Sequence, residues 1–361
     1  MISGPFFAII CEVSMELGYT VLNLKSRITK LHYDKSAEGF LLDLLEFFSL
    51  FYGLVTKFRN KLYDNGRLKE IKVDADVISV GNLTTGGVGK TPVVQAIASY
   101  YVDKGEKVAV ISRGYGGKLS NKKVNVISDG INLFYNADMA GDEAYMLAVN
   151  LNMCAVITCK DRVKAAKYAV EKLGVKKIIL DDGFQYRRLH RDLNLLLVDS
   201  EMGFGNEKLL PAGPLREGPE AFDRIDKLIV VNKSKDNTRA EKLAKIMGKK
   251  FKCEAFVCYT IPDYVYNIKT GDNLVSGEAV TAMCAIGQPS QFYRFLENDY
   301  EILDKVTFDD HHRYVKSDIA KIKGNIITTE KDAVKLAKFD RDNIFALKLK
   351  HIIDVEGLLA K

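Results

Sequence analysis

Apolar and polar residues alternate in two different ways along most of the chain. Short runs rich in β-branched residues, typical of buried strands, are separated by stretches with helical spacing. The strand-like runs are DVISV, KVAVIS, CAVIT, KKIIL, LNLLLVDS and DKLIVV, and the helical stretches include PVVQAIASYYVDKG and RVKAAKYAVEKLG. This alternation predicts an α/β fold with a mostly parallel sheet flanked by helices.

The pattern changes at residues 254–274, where EAFVCYTIPDYVYNIKTGDNL reads as two extended runs. Alternation then resumes with VTAMCAIG, EILDKVTF, GNIITTE and NIFALKLK, with helical stretches between them. We therefore predict a first α/β domain over residues 71–253, extended linker strands over 254–274, and a second, smaller α/β domain over 275–361.

Residues 39–70 have a third pattern, in which apolar residues from Phe40 to Val55 cover most of a helix surface. A membrane-spanning helix needs about 20 clean apolar residues, and Asp43 and Glu46 interrupt this run. Basic residues follow it, namely Lys57, Arg59, Lys61, Arg67 and Lys69. The segment fits a membrane-associated helix in an anionic lipid interface, with a core helix as the alternative. Residues 1–38 are an extension of unknown role, without the features of a signal peptide.

Composition narrows the choice of partners. Of the 361 residues, 47% are hydrophobic and 28% are charged, as in folded proteins. The net charge of +6 suits anionic small molecules or an anionic lipid surface and is too small for a nucleic-acid footprint. We therefore expect no nucleic acid partner, and nothing in the sequence indicates an obligate protein partner.

A glycine-rich loop, Gly81 to Pro92, links the strand DVISV to an apolar helix. Such loops direct backbone N–H groups and a helix N-terminus at phosphate oxygens. Lys90 would reach the terminal phosphates of ATP, and the Thr91 hydroxyl would bind Mg²⁺. The predicted ATP-binding residues are Thr84, Thr85, Gly86, Gly87, Val88, Gly89, Lys90 and Thr91. Thr84 stands where the usual P-loop pattern has glycine, and the alternative is an ordinary glycine-rich turn.

Two carboxylates, Asp181 and Asp182, follow the strand KKIIL. Ligands bind beyond the carboxyl ends of parallel strands, where acids hold Mg²⁺ directly or through water. The alternative is a pair of turn residues. A GTPase switch is the nearest rival class, but Asn232-Lys233-Ser234-Lys235-Asp236 lacks the aspartate that guanine recognition needs at position 235.

The motifs together resemble the tetraacyldisaccharide 4'-kinase (lipid A 4'-kinase) family. The matching segments are SVGNLTTGGVGKTP, SRGYGG, GDEAYMLA, DDGFQYRRLHRDLNLLLVD, LLPAGPLREGP, AIGQPSQF, FDDHHRY and TTEKDAVKL. The resemblance runs from about Gly39 to the C-terminus, and the family carries a P-loop of the same irregular form. It implies ATP-dependent phosphorylation of the 4'-hydroxyl of a lipid A disaccharide precursor. It also implies a peripheral or monotopic location on the cytoplasmic face of the bacterial inner membrane.

The resemblance also assigns roles to residues. Asp142 matches the family's catalytic acid, with Glu143 a further candidate near the metal. His311 matches its histidine better than the adjacent His312 does. The remaining matches are Gln185 near the metal and Arg216 with Glu217 at the active site.

Residue chemistry is consistent with these roles. A sugar hydroxyl needs a base, and an aspartate held by a histidine can act as one. From the residues alone Asp142 could instead cap a helix, and the histidines could be solvated. Arginines such as Arg113 and Arg216 could pair with substrate phosphate, Arg216 being the stronger candidate. An ATPase acting as a metal or cofactor chaperone, and a membrane scaffold without chemistry, are the alternatives from other classes.

Overall fold

The computed structural model describes residues 28–34, 36, 38–310 and 312–360. The predicted extension therefore lies largely outside the described residues, and so does His311. The chain forms two compact units. The smaller unit combines the described part of Met1–Asn65 with Leu83–Thr85 and Met202–Ala221, and the larger unit contains the rest. The domain boundaries expected from the sequence stay a prediction.

The larger unit contains one sheet of twelve strands. In spatial order the strands run β10-β9-β11-β12-β8-β7-β6-β1-β5-β2-β4-β3. Their bounds are β1 Asp76–Asn82, β2 Val108–Ser112, β3 Asn125–Ser128, β4 Cys154–Thr158, β5 Lys177–Asp181, β6 Leu193–Asp199, β7 Lys227–Asn232, β8 Glu254–Asn267, β9 Ala279–Cys284, β10 Glu301–Thr307, β11 Asn325–Thr329 and β12 Ile344–Ile352.

Most neighbouring strands in this sheet are parallel. The exceptions are β3 on β4 and β12 on β8, which pair antiparallel. Residues of β1, β2, β4 and β5 are almost all buried because helices cover both faces of the sheet. The largely parallel α/β fold predicted from the alternation is confirmed.

The segment from Glu254 to Asn267 differs from expectation. It forms the single strand β8, not a linking pair of strands. Its first half pairs with β7 in parallel, and its second half pairs with β12 antiparallel, with a register shift opposite Leu347/Leu349. Pro262 does not interrupt the strand, although a proline inside a strand usually marks an edge or a bulge. One continuous strand thus joins the two halves of the sheet.

Helices of the larger unit lie between successive strands, except the last one, which follows β12. They are α2 Lys90–Asp103, α3 Ala137–Ala140, α4 Asp142–Asn150, α5 Arg162–Leu173, α6 Asn237–Phe251, α7 Pro289–Leu296, α8 Lys316–Ala320, α9 Glu330–Leu336 and α10 Val355–Leu359. A 3₁₀ turn at Pro219–Arg224 begins in the smaller unit and ends in the larger one. Side chains cap several of the helices. Asp161 accepts from the backbone N–H groups of Val163 and Lys164, and Thr329 accepts from that of Asp332.

The smaller unit is built on helix α1, Phe40–Asp64, which is preceded by a short helical turn at residues 28–33. Among the described residues, no helix is long and apolar enough to cross a membrane. Segment 202–221 packs against α1 within the same unit.

Candidate active site

The glycine-rich loop leaves β1 and enters α2 at Lys90. Gly89 precedes the helix in a left-handed conformation with φ 99°, which glycine adopts without strain. Lys90 Nζ donates to Asn82 Oδ1 at 3.2 Å and lies 3.4 Å from Asp182 Oδ1. Thr91 is half-buried in the first turn of α2. The loop therefore brings its lysine to the carboxyl end of the neighbouring strand β5.

Asp181 ends β5 and is buried, and among the described residues no hydrogen-bond donor reaches its Oδ1. Burial, reinforced by the nearby Glu143 carboxylate, raises the pKa of Asp181 to about 7. Asp182 takes a left-handed φ of 53°, and its side chain is more exposed. Backbone conformations of this kind cluster at functional sites. A buried carboxylate oxygen without a donor is suited to a cation or a proton.

Two further polar side chains, Gln185 and Arg162, contribute to this end of the sheet. Gln185 Nε2 donates to the carbonyl of Asn82 at 2.9 Å. Arg162, the first residue of α5, is buried, and its Nε has no hydrogen-bond partner in the part of the chain that the structure describes. Burial lowers the pKa of Arg162, and the Asp182 carboxylate acts in the opposite direction. Lys90 and Arg162 thus provide positive charge around two carboxylates.

The carboxylates do not form a complete metal site by themselves. Within the described ranges, no three Asp, Glu, His or Cys side chains converge to metal-binding geometry. Mg²⁺ usually keeps several waters and is held by one or two carboxylates together with substrate phosphates. The unpartnered Asp181 Oδ1 fits that partial role.

The GDE motif forms a tight turn at the start of α4. Gly141 has φ 89°, and a Cβ there would lie 2.5 Å from the carbonyl oxygen of Tyr115. A Cβ on Gly117 would likewise lie 2.5 Å from the carbonyl oxygen of Met139. Glycine is required at both positions because the SRGYGG loop and the GDE turn touch through their backbones. Gly141 is the N-cap of α4 and Asp142 is its first residue, so the carboxylate lies in the first turn of the helix.

The FDDHHRY loop follows β10. His312 Nε2 lies 2.9 Å from Asp318 Oδ2, and its ring stacks on Phe308 with centroids 4.5 Å apart. The same Asp318 oxygen accepts from the backbone N–H of Val315. His312 is therefore engaged with the first turn of α8.

Arg216 and Glu217 belong to the smaller unit. The Arg216 backbone is fixed at both ends, because its N–H donates to Leu83 at 2.7 Å and its carbonyl accepts from Tyr52 Oη at 2.8 Å. Glu217 is buried, with its carboxylate oxygens accepting from Arg59 Nη2 at 2.9 Å and Asn60 Nδ2 at 3.0 Å. Glu217 thus anchors α1.

Thr84 and Thr85 also lie in the smaller unit. The backbone N–H of Thr85 donates to the carbonyl of Pro214, and its own carbonyl accepts from Tyr33 Oη. Gly86 to Thr91 lie in the larger unit. Of the eight predicted ATP-binding residues, two therefore belong to the smaller unit and six to the larger one.

Helix α1 is amphipathic, but its buried side is mostly polar and its exposed side is apolar, the reverse of a usual surface helix. Its buried residues are Leu42, Ser49, Thr56 and Asn60, three of them polar. Ser49 Oγ donates to the carbonyl of Leu209 at 2.9 Å and accepts from the N–H of Ala212 at 3.0 Å. The exposed side carries Phe40, Leu44, Phe47, Phe48, Leu50, Phe51, Leu54, Val55 and Phe58. Contiguous exposed apolar surface of this kind marks an interaction site.

The structure thus gathers Lys90, Asp181, Asp182 and Gln185 at one edge of the sheet. Arg113 is exposed at the start of the SRGYGG loop. Sequence reasoning missed Arg162, and it missed Lys331 and Lys335 of α9, which contact the GDE turn. For Lys331 and Lys335, the signal in the sequence was their spacing of four residues within TTEKDAVKL, which places both on one side of a helix.

A largely parallel sheet, with a glycine-rich strand-to-helix loop beside carboxylates of the next strand, is the arrangement of α/β phosphotransferases. The family model described as LpxK, tetraacyldisaccharide-1-P 4'-kinase, matches residues 41–360. The chain belongs to the tetraacyldisaccharide 4'-kinase family, which confirms the resemblance seen in the motifs, and it is a kinase.

Individual relatives agree with this assignment. The chain is 36% identical over 345 residues to the tetraacyldisaccharide 4'-kinase of Syntrophus aciditrophicus, covering 89% of this chain and 92% of the relative. It is 37% identical over 318 residues to that of Aquifex aeolicus, covering 87% and 95%. The crystal structure of LpxK from Aquifex aeolicus in complex with ATP superposes with a TM-score of 0.72 at 32% identity, covering 89% of this chain and 97% of that one.

Proposed function

We propose that this chain transfers the γ-phosphoryl group of ATP to the 4'-hydroxyl of the tetraacyldisaccharide 1-phosphate precursor of lipid A. The match to the kinase family model over residues 41–360 carries this proposal. The ATP complex of the Aquifex aeolicus relative supports ATP as the donor. The lysine and carboxylates at the end of β5 support phosphoryl transfer at that edge of the sheet.

The phosphate end of the nucleotide would lie on the glycine-rich loop. The Lys90 ammonium, now 3.4 Å from Asp182, would turn to the transferring phosphates. Thr91, Asp181 and Asp182 would hold Mg²⁺, with Glu143 near it. When bound, Mg²⁺ neutralises charge that develops on the phosphoryl oxygens. Arg162 adds a buried positive charge beside the same carboxylates.

Asp142 would accept the proton of the sugar 4'-hydroxyl as that oxygen attacks phosphorus, while ADP leaves with the bonding electrons. His311 would hold and orient Asp142. The pairing of His312 with Asp318 supports giving this role to His311. Arg216 would hold a phosphate of the donor or the acceptor through its guanidinium fork.

The apolar side of α1 would enter the lipid interface, bringing the enzyme to a substrate whose acyl chains stay in the membrane. The exposed phenylalanines support this placement. Lys57 and Lys61 are exposed and would face anionic headgroups, whereas Arg59 already pairs with Glu217. A location on the cytoplasmic face of the inner membrane, where ATP is supplied, follows from this proposal.

One assay tests the proposed function. The full chain is incubated with γ-labelled ATP, Mg²⁺ and tetraacyldisaccharide 1-phosphate in mixed micelles, and the lipid product is separated. We expect label on the 4' position of a bisphosphorylated lipid. Release of labelled phosphate that does not depend on the lipid acceptor would instead identify an ATPase.

A further inference from the structure

The motif TTEKDAVKL has no role in the function proposed so far. Its helix α9 presents Lys331 and Lys335 one turn apart, and each lysine reaches both the GDE turn and the FDDHHRY loop. Lys331 Nζ lies 3.7 Å from Glu143 Oε1 and 3.1 Å from Asp310 Oδ1. Lys335 Nζ lies 3.4 Å from Asp142 Oδ2 and donates to the carbonyl of His312 at 3.3 Å.

The Lys335 ammonium is held in place by contacts with its own helix, α9. It is only 8% exposed and pairs with Asp332, which is fully buried, at 3.0 Å. The other oxygen of Asp332 accepts from the backbone N–H of Ala285 at 2.9 Å and from Thr329 Oγ1 at 2.9 Å. The ammonium therefore lies between one carboxylate that is fixed by the fold and a second one, Asp142, that is proposed to react.

A buried ion pair of this kind is a poor source of stability, because desolvation offsets most of the attraction. It is well suited to fixing geometry. A side chain that is held by several polar partners keeps one orientation, and misplacing a reacting group by about 1 Å can cost about 10²-fold in rate. Lys331 contacts Asp310 and Lys335 contacts the carbonyl of His312, so the two lysines bind the neighbours of His311 on either side in the sequence.

We propose that Lys335 is a positioning residue for phosphoryl transfer: it orients the Asp142 carboxylate, and with Lys331 it holds the GDE turn against the FDDHHRY loop. This inference rests on the proposed role of Asp142 as the base. A lysine that merely joined α4 to α9 would affect folding and would not act through Asp142.

The test is a double-mutant cycle in the full chain, with turnover measured on ATP and tetraacyldisaccharide 1-phosphate. Lys335→Met is made in the natural sequence and in an Asp142→Asn background, and Lys335→Arg retains the charge. Lys348→Met is the matched control, since Lys348 pairs with Glu330 of the same helix at 2.7 Å. ATP affinity and Tm are measured for every variant.

We expect Lys335→Met to lower kcat by about 10- to 10²-fold with little change in the KM for ATP. In the Asp142→Asn background the same substitution should lower kcat less than about twofold, because coupled groups are non-additive. Lys335→Arg should recover part of the loss, and Lys348→Met should retain full turnover.

If Lys335→Met loses the same factor in both backgrounds, the inference is overturned while Asp142 can still be the base. If Asp142→Asn itself turns over normally, both the base and the inference fall. Should Lys335→Met not fold, Lys335→Met/Asp332→Asn removes the buried pair together, which proteins tolerate better than one unpaired charge. That variant must show the same loss and the same coupling to Asp142.

Discussion

The reversed amphipathicity of α1 makes a quantitative prediction about membrane binding. Deleting the helix would be a poor test, because Ser49 and Asn60 anchor segment 202–221 and the deletion would remove those contacts. A triple substitution of Phe47, Phe51 and Phe58 by glutamine leaves the buried face intact and keeps good helix formers on the exposed face.

The expected size of the effect follows from the exposed area. The three rings are 53%, 55% and 64% exposed, so a little over half of each remains available to lipid. Fully burying a phenylalanine contributes about 1.5–3 kcal/mol, so each ring should contribute about 1 kcal/mol or somewhat more on entering the interface. Together they provide roughly 3–4 kcal/mol, which is about 10²- to 10³-fold in vesicle affinity.

Binding to vesicles of neutral phospholipid is measured by cosedimentation, alongside ATP affinity and turnover on substrate in the same vesicles. We expect the triple variant to lose vesicle binding and lipid turnover while keeping its ATP affinity. The matched control replaces Ile131, Leu133 and Phe134, which are exposed elsewhere on the surface, by glutamine. Vesicle binding that survives the α1 substitutions, or falls equally in the control, would refute the interfacial helix.

Three further outcomes are expected. Lys90→Ala should lower turnover by at least about 10²-fold in a folded protein, measured with labelled ATP, because the charge it would stabilise develops during transfer; full turnover would contradict the phosphate site. Asp181→Asn should abolish turnover yet stabilise the metal-free chain above pH 7 by on the order of 2–4 kcal/mol. Because the pKa of Asp181 is raised in the folded state, the buried carboxylate destabilises the natural protein at high pH, where it must be charged. The gain in Tm of Asp181→Asn should therefore shrink as the pH falls from 7 to 4. A gain in Tm that does not change with pH would contradict the raised pKa. His311→Ala and Asp142→Ala should each lose about 10²–10⁴-fold in kcat without multiplying in the double variant, whereas His312→Ala should be milder.

The local pattern of apolar and polar residues was sufficient to predict the strands of the sheet, but it did not predict that β8 continues without interruption from one half of the sheet to the other. Short runs of apolar β-branched residues predict buried strands, and the predicted strands DVISV, CAVIT and KKIIL are found at β1, β4 and β5. The pair of strands expected over residues 254–274 was wrong, since Glu254–Asn267 forms the single strand β8. In the sheet the second half of β8 pairs with β12, which comes some eighty residues later and leaves no trace in the local pattern.

In the candidate active site, too, features formed by neighbouring residues could be predicted, whereas contacts between distant parts of the chain could not. A glycine-rich turn and an aspartate pair at a strand end are local arrangements, so their residues could be predicted from neighbours in the sequence. The bridge from α9 to Asp142 joins positions nearly two hundred residues apart, and only the folded chain brings Lys335 to 3.4 Å from that carboxylate. Periodicity also gave α1 an apolar surface without saying which side faces the protein. The polar anchors Ser49 and Asn60 settle that choice, because a hydroxyl and an amide can satisfy the backbone and carboxylate groups of segment 202–221. The apolar side is exposed, and under the proposed function it would contact the acyl chains of the lipid substrate.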